Sequence, residues 1–103
     1  MAEFKCYICS EKAATGEKFT FTNNGAVHFD CFIAHKRKEL GTQNAEQLSE
    51  LAIILDAELN HLLTLLRIDA HSEDGKKHLQ AKYKDIEKAA GETTRLISAL
   101  KKQ

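Results

Sequence analysis

All three cysteines of this chain stand in its opening stretch, as Cys6, Cys9 and Cys31, and His28 precedes the last of them with two positions between. Cys6-x2-Cys9 and His28-x2-Cys31 are therefore two close pairs, separated by positions 10–27. This spacing constrains the fold more than any other feature. Each x2 pair reaches one ion from a tight turn or from the first turn of a helix, and four such donors complete a tetrahedral Zn2+ site. A site closed by four protein ligands keeps no position for a catalytic water, so it reads as one structural Zn2+ per chain. Size points the same way. A segment of about 41 residues buries too little apolar surface to fold unaided, whereas structural zinc contributes roughly 10–16 kcal/mol at neutral pH. His35, on the helix side of Cys31, is the alternative nitrogen ligand, and the His-x2-Cys spacing favours His28. A redox reading of the cysteines lacks the βαβ pattern that a thioredoxin-like site would place around Cys6.

The stretch between the pairs reads as a hairpin over 18–29. Phe19 and Phe21 alternate with Thr20 and Thr22, the period of a half-buried strand. Asn24-Gly25 tolerates positive φ at both central positions of a type I′ turn, and Ala26, Val27, His28 and Phe29 return as the second strand. Asp30 is the expected N-cap of a helix over roughly 31–40, with Gly41 as its stop. The N-terminus of that helix is expected to favour a thiolate at Cys31.

Turn, hairpin and ligand-bearing helix start make a treble-clef layout. The stretches "CYIC" and "VHFDCF" resemble the first half of a LIM-type zinc module, over positions 6–32. A LIM domain continues with a further cysteine pair; here Ala34 follows and no later cysteine exists. The resemblance thus implies one zinc rather than two, and carries no peptide-docking function with it. The whole layout also resembles small uncharacterised archaeal zinc-binding proteins, a likeness that implies no activity.

Composition changes near Gly41. All five phenylalanines precede it and eleven of twelve leucines follow it, so residues 1–41 read as the zinc module and 42–103 as a helical hairpin. The expected class is α+β, a small zinc module followed by an all-α antiparallel hairpin. Asn44 and Gln47 suggest a capping box. Leu48, Ala52, Leu55, Leu59, Leu62 and Leu66 then recur at coiled-coil-like spacings of four and three, and Leu51, Ile54, Leu63 and Leu65 widen the stripe. After a break at 67–75 with Ser72 as N-cap, Leu79, Tyr83, Ile86, Ala90, Thr93, Ile97 and Leu100 repeat the pattern. No proline interrupts either helix. Gly91 interrupts the second helix, where close helix approach or a bend is one reason for it and surface tolerance the other.

A single partner helix covers one seam of so broad an apolar surface. The expectation is a homodimer associating through Leu48, Leu51, Leu55, Leu59, Leu62, Leu66, Tyr83, Ile86 and Ile97, with two hairpins forming a four-helix bundle and the zinc modules projecting from it. Charge supports pairing of the two helices. Residues 42–69 carry one Arg against five Asp/Glu, while residues 73–103 carry eight Lys/Arg against five Asp/Glu.

Fifteen Lys/Arg balance fifteen Asp/Glu, so no net field advertises a nucleic-acid partner. One dense basic patch, Lys36, Arg37 and Lys38, offers possible phosphate contacts. Glu58-x2-His61 has the spacing of di-metal sites in helical bundles, but occurs once per chain and reads as a polar flank. No nucleophile–base pair or open metal site suggests an enzyme. No apolar run is long enough to span a membrane, the N-terminal residues lack the layout of a signal peptide, and an odd cysteine count fits a secreted disulfide framework poorly. The chain reads as cytoplasmic. Its expected role is a non-enzymatic protein–protein adaptor that self-associates, the alternative being a nucleic-acid-associated zinc-finger factor of transcription type acting through the basic patch.

Overall fold

The computed structural model describes residues 4–13 and 16–101. Two small antiparallel sheets precede three helices. Strand β1 (Phe4–Lys5) pairs with β2 (Lys12–Ala13), and β3 (Phe19–Thr22) pairs with β4 (Gly25–His28). Helix α1 (Phe29–Leu40) follows β4 without a break, and α2 (Ala45–Leu66) and α3 (Glu73–Ala99) pack together as the C-terminal hairpin. The chain is an α+β structure with the order expected from its sequence.

The β3–β4 register pairs Phe19 with His28 and Thr22 with Gly25. The turn is therefore Asn23-Asn24, not the Asn24-Gly25 of the sequence reading. Among the described residues Ser10 and Asn44 are the non-glycines at positive φ, so neither turn residue takes the type I′ conformation; the positive φ falls on Gly25, at 118°. The Thr22 hydroxyl holds the turn by accepting from the Asn24 N–H and donating to the Gly25 carbonyl. Alternation along β3 points Thr20 inward, and Phe19 and Phe21 to the other face. There Phe4 meets both, edge-on to Phe21 with ring centroids 5.0 Å apart.

Helix α1 starts earlier than expected. Its N-cap is His28, with no side-chain cap, and Asp30 lies in the first turn instead. The first helical N–H, from Phe29, donates to the Lys18 carbonyl across the hairpin, so a strand supplies what a capping side chain would have given. Gly41 ends the helix at φ 61°, its N–H bonded to the Arg37 carbonyl. Asn44 precedes α2 but does not build a capping box. The short 41–44 connection puts it in the left-handed region (φ 57°), and its amide donates to the Lys101 carbonyl, tying the start of α2 to the end of α3. Ser72 does cap α3, its hydroxyl accepting from the Gly75 N–H at 2.9 Å, with Glu73 and Asp74 in the first turn complementing the helix dipole.

One continuous core joins both parts. Cys6, Val27, Phe32, Ile33 and Leu40 cluster with Leu48, Ala52, Leu55 and Leu59 of α2 and with Ala90, Ile97 and Leu100. Polar ties reinforce the junction. Thr20 and Thr94 share a buried hydroxyl–hydroxyl bond of 2.9 Å. Lys18 pairs with Asp56 at 2.6 Å, and buried Lys36 donates to the Ser98 carbonyl. The module thus lies along the leucine stripe instead of projecting from it.

Candidate metal centre

Cys6 and Cys9 lie on one tight turn. The Ser10 N–H donates to the Cys6 carbonyl and the Cys6 N–H to the Glu11 carbonyl, each at 2.9 Å, so the chain reverses and aims both sulfurs to one side. Ser10 completes the reversal at φ 65°, a conformation that favours glycine. The Tyr7 N–H donates to the Ala26 carbonyl and fastens this turn to β4. His28 ends β4 and Cys31 occupies the first turn of α1. Strand end and helix start thereby bring the second pair to the first.

The three Sγ atoms and one imidazole nitrogen all lie within 4.8 Å of one another. The His28 Nδ1 is 3.3 Å from the Cys9 Sγ and 4.0 Å from the Cys31 Sγ. Metal–sulfur and metal–nitrogen bonds of ~2.3 and ~2.0–2.1 Å in a tetrahedron imply an S···N edge of about 3.6 Å, so the two distances bracket the requirement. The His28 Nε2 lies 3.1 Å from the Lys12 carbonyl, which only accepts, so Nε2 carries a proton. Neutral His28 then presents a bare Nδ1 to the sulfurs while a backbone carbonyl holds its other nitrogen, as in metal-bound imidazoles. His35 stands exposed and outside the group, so His28 is the nitrogen donor that the fold brings to the cysteines.

The ionisation of the group is uneven. Burial pushes the Cys6 thiol up, but the N–H groups of Cys9, His28 and Ile8 aimed at its sulfur outweigh that and bring it down to about 6. Burial opposes charge on His28 as well, yet the neighbouring Cys6 sulfur and the Lys12 carbonyl raise its pKa. Cys31 behaves opposite to the expectation from its helix start: burial, then the Cys9 and Cys6 sulfurs, push it up to about 11. The helix dipole loses to burial and to two adjacent sulfurs that disfavour a further negative charge. A cation among them reverses that balance, so this donor set suits a metal ion better than it suits itself.

The other sequence-marked residues are dispersed. Lys36 is 6% exposed and paired with Glu39 as well as bonded to Ser98, while Arg37 and Lys38 remain exposed. Glu58 accepts from the Thr93 hydroxyl at 2.6 Å and His61 is exposed, so that pair has no metal-like arrangement. Of the expected association residues, Leu48, Leu55, Leu59 and Ile97 are buried within the chain. Leu51 and Ile86 are half-buried. Leu62, Leu66 and Tyr83 line a cleft of about 870 Å3 between β3 and the helices, to which none of the four donors contributes. The supporting Lys12 carbonyl and the strained Ser10 escaped sequence reading, because a backbone carbonyl carries no residue signature and nothing in "CYICS" announces a left-handed serine.

Fold and site define a small module whose Cys3His cluster is close enough to hold one metal ion, joined to a helical hairpin. Residues 2–99 match the family described as "Uncharacterized protein conserved in archaea (DUF2175)", and the chain belongs to that family. No curated protein and no solved structure matches the chain. Among the described residues no helix is long and apolar enough to cross a membrane.

Proposed function

We propose that Cys6, Cys9, His28 and Cys31 hold one structural Zn2+ in a treble-clef-like module, and that the protein is a non-enzymatic adaptor which self-associates through its helical hairpin. The convergence of four donor atoms within 4.8 Å carries the metal half of this reading. Three thiols and an imidazole suit Zn2+, and four protein donors close its usual coordination, so the ion acts by holding the turn, β4 and α1 together. The adaptor half rests on large apolar side chains left on the helices, Ile54 and Leu96 among them. A nucleic-acid role through the basic patch is the weaker reading. Buried Lys36 is committed to Ser98 and Glu39, which leaves Arg37 and Lys38 as its support.

Elemental analysis of the purified protein tests the metal. The expected result is one zinc per chain, lost in Cys9→Ser together with the order of the segment 4–41. A metal-free protein in which that segment keeps its native amide spectrum would overturn the structural role.

A further inference from the structure

The two outer edges of the β3–β4 hairpin differ. The Phe29 N–H donates to the Lys18 carbonyl, and opposed residues in an antiparallel ladder alternate between bonded and unbonded pairs. Thr20 with Val27 and Thr22 with Gly25 therefore hold the hairpin, while Phe19, Phe21, Ala26 and His28 turn their backbone groups outward. On the β4 side those groups are taken. The Ala26 carbonyl accepts from the Tyr7 N–H, and the His28 N–H donates to the Cys6 sulfur at 3.5 Å. On the β3 side no hydrogen bond among the described residues reaches the N–H or C=O of Phe19 or Phe21. The cleft of about 870 Å3 runs along this edge. Residues from both faces of β3 line it, Phe19 and Phe21 with Thr20 and Thr22, and none from β4 does. Its far wall carries Leu62, Leu63, Leu66 and Tyr83, none of them fully buried. Arg95 lines it too, exposed and without a partner among the described residues. It follows Thr94, which bonds Thr20 in the middle of β3.

We infer that this edge takes an extended peptide segment of a partner protein, which adds to the hairpin as a third strand. The segment sets alternate apolar side chains against the leucines and brings a carboxylate to Arg95. The backbone row selects the occupant. Phe19 and Phe21 each present one donor and one acceptor, two residues apart, and an extended backbone repeats at that spacing. A helix satisfies its backbone groups internally and has none to offer along its length. Such strand addition draws affinity from main-chain hydrogen bonds and specificity from the sites that receive alternate side chains. Here the leucine wall makes the apolar demand and the unpaired guanidinium the acidic one. A second copy fits less well, because its own β3 edge stands against its own helices across the same cleft. A single peptide strand has only to lie ~4.8 Å from β3. The inference rests on the adaptor reading above, to which it adds a class of partner, and not on self-association.

Random octapeptides displayed on phage and panned against the metal-loaded full chain test this. The expected selection is alternating apolar residues with Asp or Glu. A synthetic copy of the leading peptide should slow amide exchange at Phe19 and Phe21 about tenfold or more and leave Thr20 and Thr22 as they were. Methylating its backbone nitrogens should weaken binding about tenfold at one alternate set of positions and not at the other, the loss expected for one hydrogen bond. Arg95→Glu and Leu66→Asp, both at exposed positions, should each weaken it by about as much with circular dichroism unchanged. Panning that enriches no sequence over the Leu66→Asp protein overturns the proposal. So does a bound peptide that leaves the Phe19 and Phe21 amides unprotected. Protection that appears without peptide and grows with protein concentration places a second copy at the edge and overturns it as well. Light scattering of the same sample reads self-association separately, against the 11.6 kDa chain mass. A chain-mass protein that binds peptide loses the dimer and keeps this site; a dimer that binds none loses the site alone.

Discussion

The segments 4–41 and 45–99 reach order by opposite routes. The first region has strands of two and four residues and gathers three sulfurs and an imidazole around one point. The second is two helices of 22 and 27 residues, held by a stripe of apolar side chains. A polar cluster concentrates its constraint at a few atoms, and without a cation, burial and then the neighbouring sulfurs keep the Cys31 thiol from ionising. An apolar stripe spreads its stabilisation over many small contacts. Yet the regions are not independent, because Val27, Phe32 and Leu40 share a core with Leu48, Leu55 and Ile97. The contrast teaches that the module built around the Cys3His cluster also serves as the cover of a helical hairpin.

Removing the metal should have the largest effect. Chelation or Cys31→Ser should cost the first region on the order of 10 kcal/mol at neutral pH, enough to unfold it. Because the core is shared, the helices should also melt at lower temperature, which circular dichroism against amide spectra will separate. A hairpin melting point unmoved by chelation would break the link between the regions. Binding should also release protons. Below its pKa of about 11 the metal-free Cys31 thiol keeps its proton, and ligation as thiolate expels it. Metal affinity should therefore rise with pH, by about tenfold per unit for each proton displaced. Calorimetry in two buffers of different ionisation enthalpy counts those protons, and a count of zero would contradict the protonated thiol.

Leu55→Ala comes next, at a fully buried position in the shared core. A loss of about 2–5 kcal/mol is expected in chemical denaturation, felt by both regions at once. Loss confined to the helical signal would show that the junction contributes little.

Two glycine exchanges, of about 1 kcal/mol each, sharpen the comparison locally. Ser10→Gly should stabilise the cysteine turn by relieving the left-handed serine, read as slower metal loss to a chelator. Gly91→Ala should stabilise α3, since an added Cβ there meets no atom within 4 Å and alanine is the better helix former. Close helix approach is thus not the reason for Gly91. A destabilised G91A in thermal melts would show that the helix needs glycine for another reason.

Much of this was legible from local pattern. The paired x2 spacings named the four residues that converge, Phe-Thr alternation named β3, leucine spacing named α2 and a mixed apolar repeat named α3, because each depends on residues near one another in the chain. The errors sit where a distant group replaced a local one. Asp30 did not cap α1, because the Lys18 carbonyl reached the Phe29 N–H. Asn44 turned from capping α2 to bond Lys101. Lys36 read as part of a basic patch for phosphate contacts and became a buried tie to α3.

The sequence by itself determined the donor set, the class of the fold and the two helices, since spacing and periodicity are properties of short segments. Only the tertiary structure decided that the module lies over the leucines and that Cys31 resists ionisation. It also decided which apolar residues stay exposed, Ile53, Ile54 and Leu96 among them. Those outcomes depend on which distant surfaces meet, and burial and charge at a point are sums over neighbours that a linear pattern does not specify.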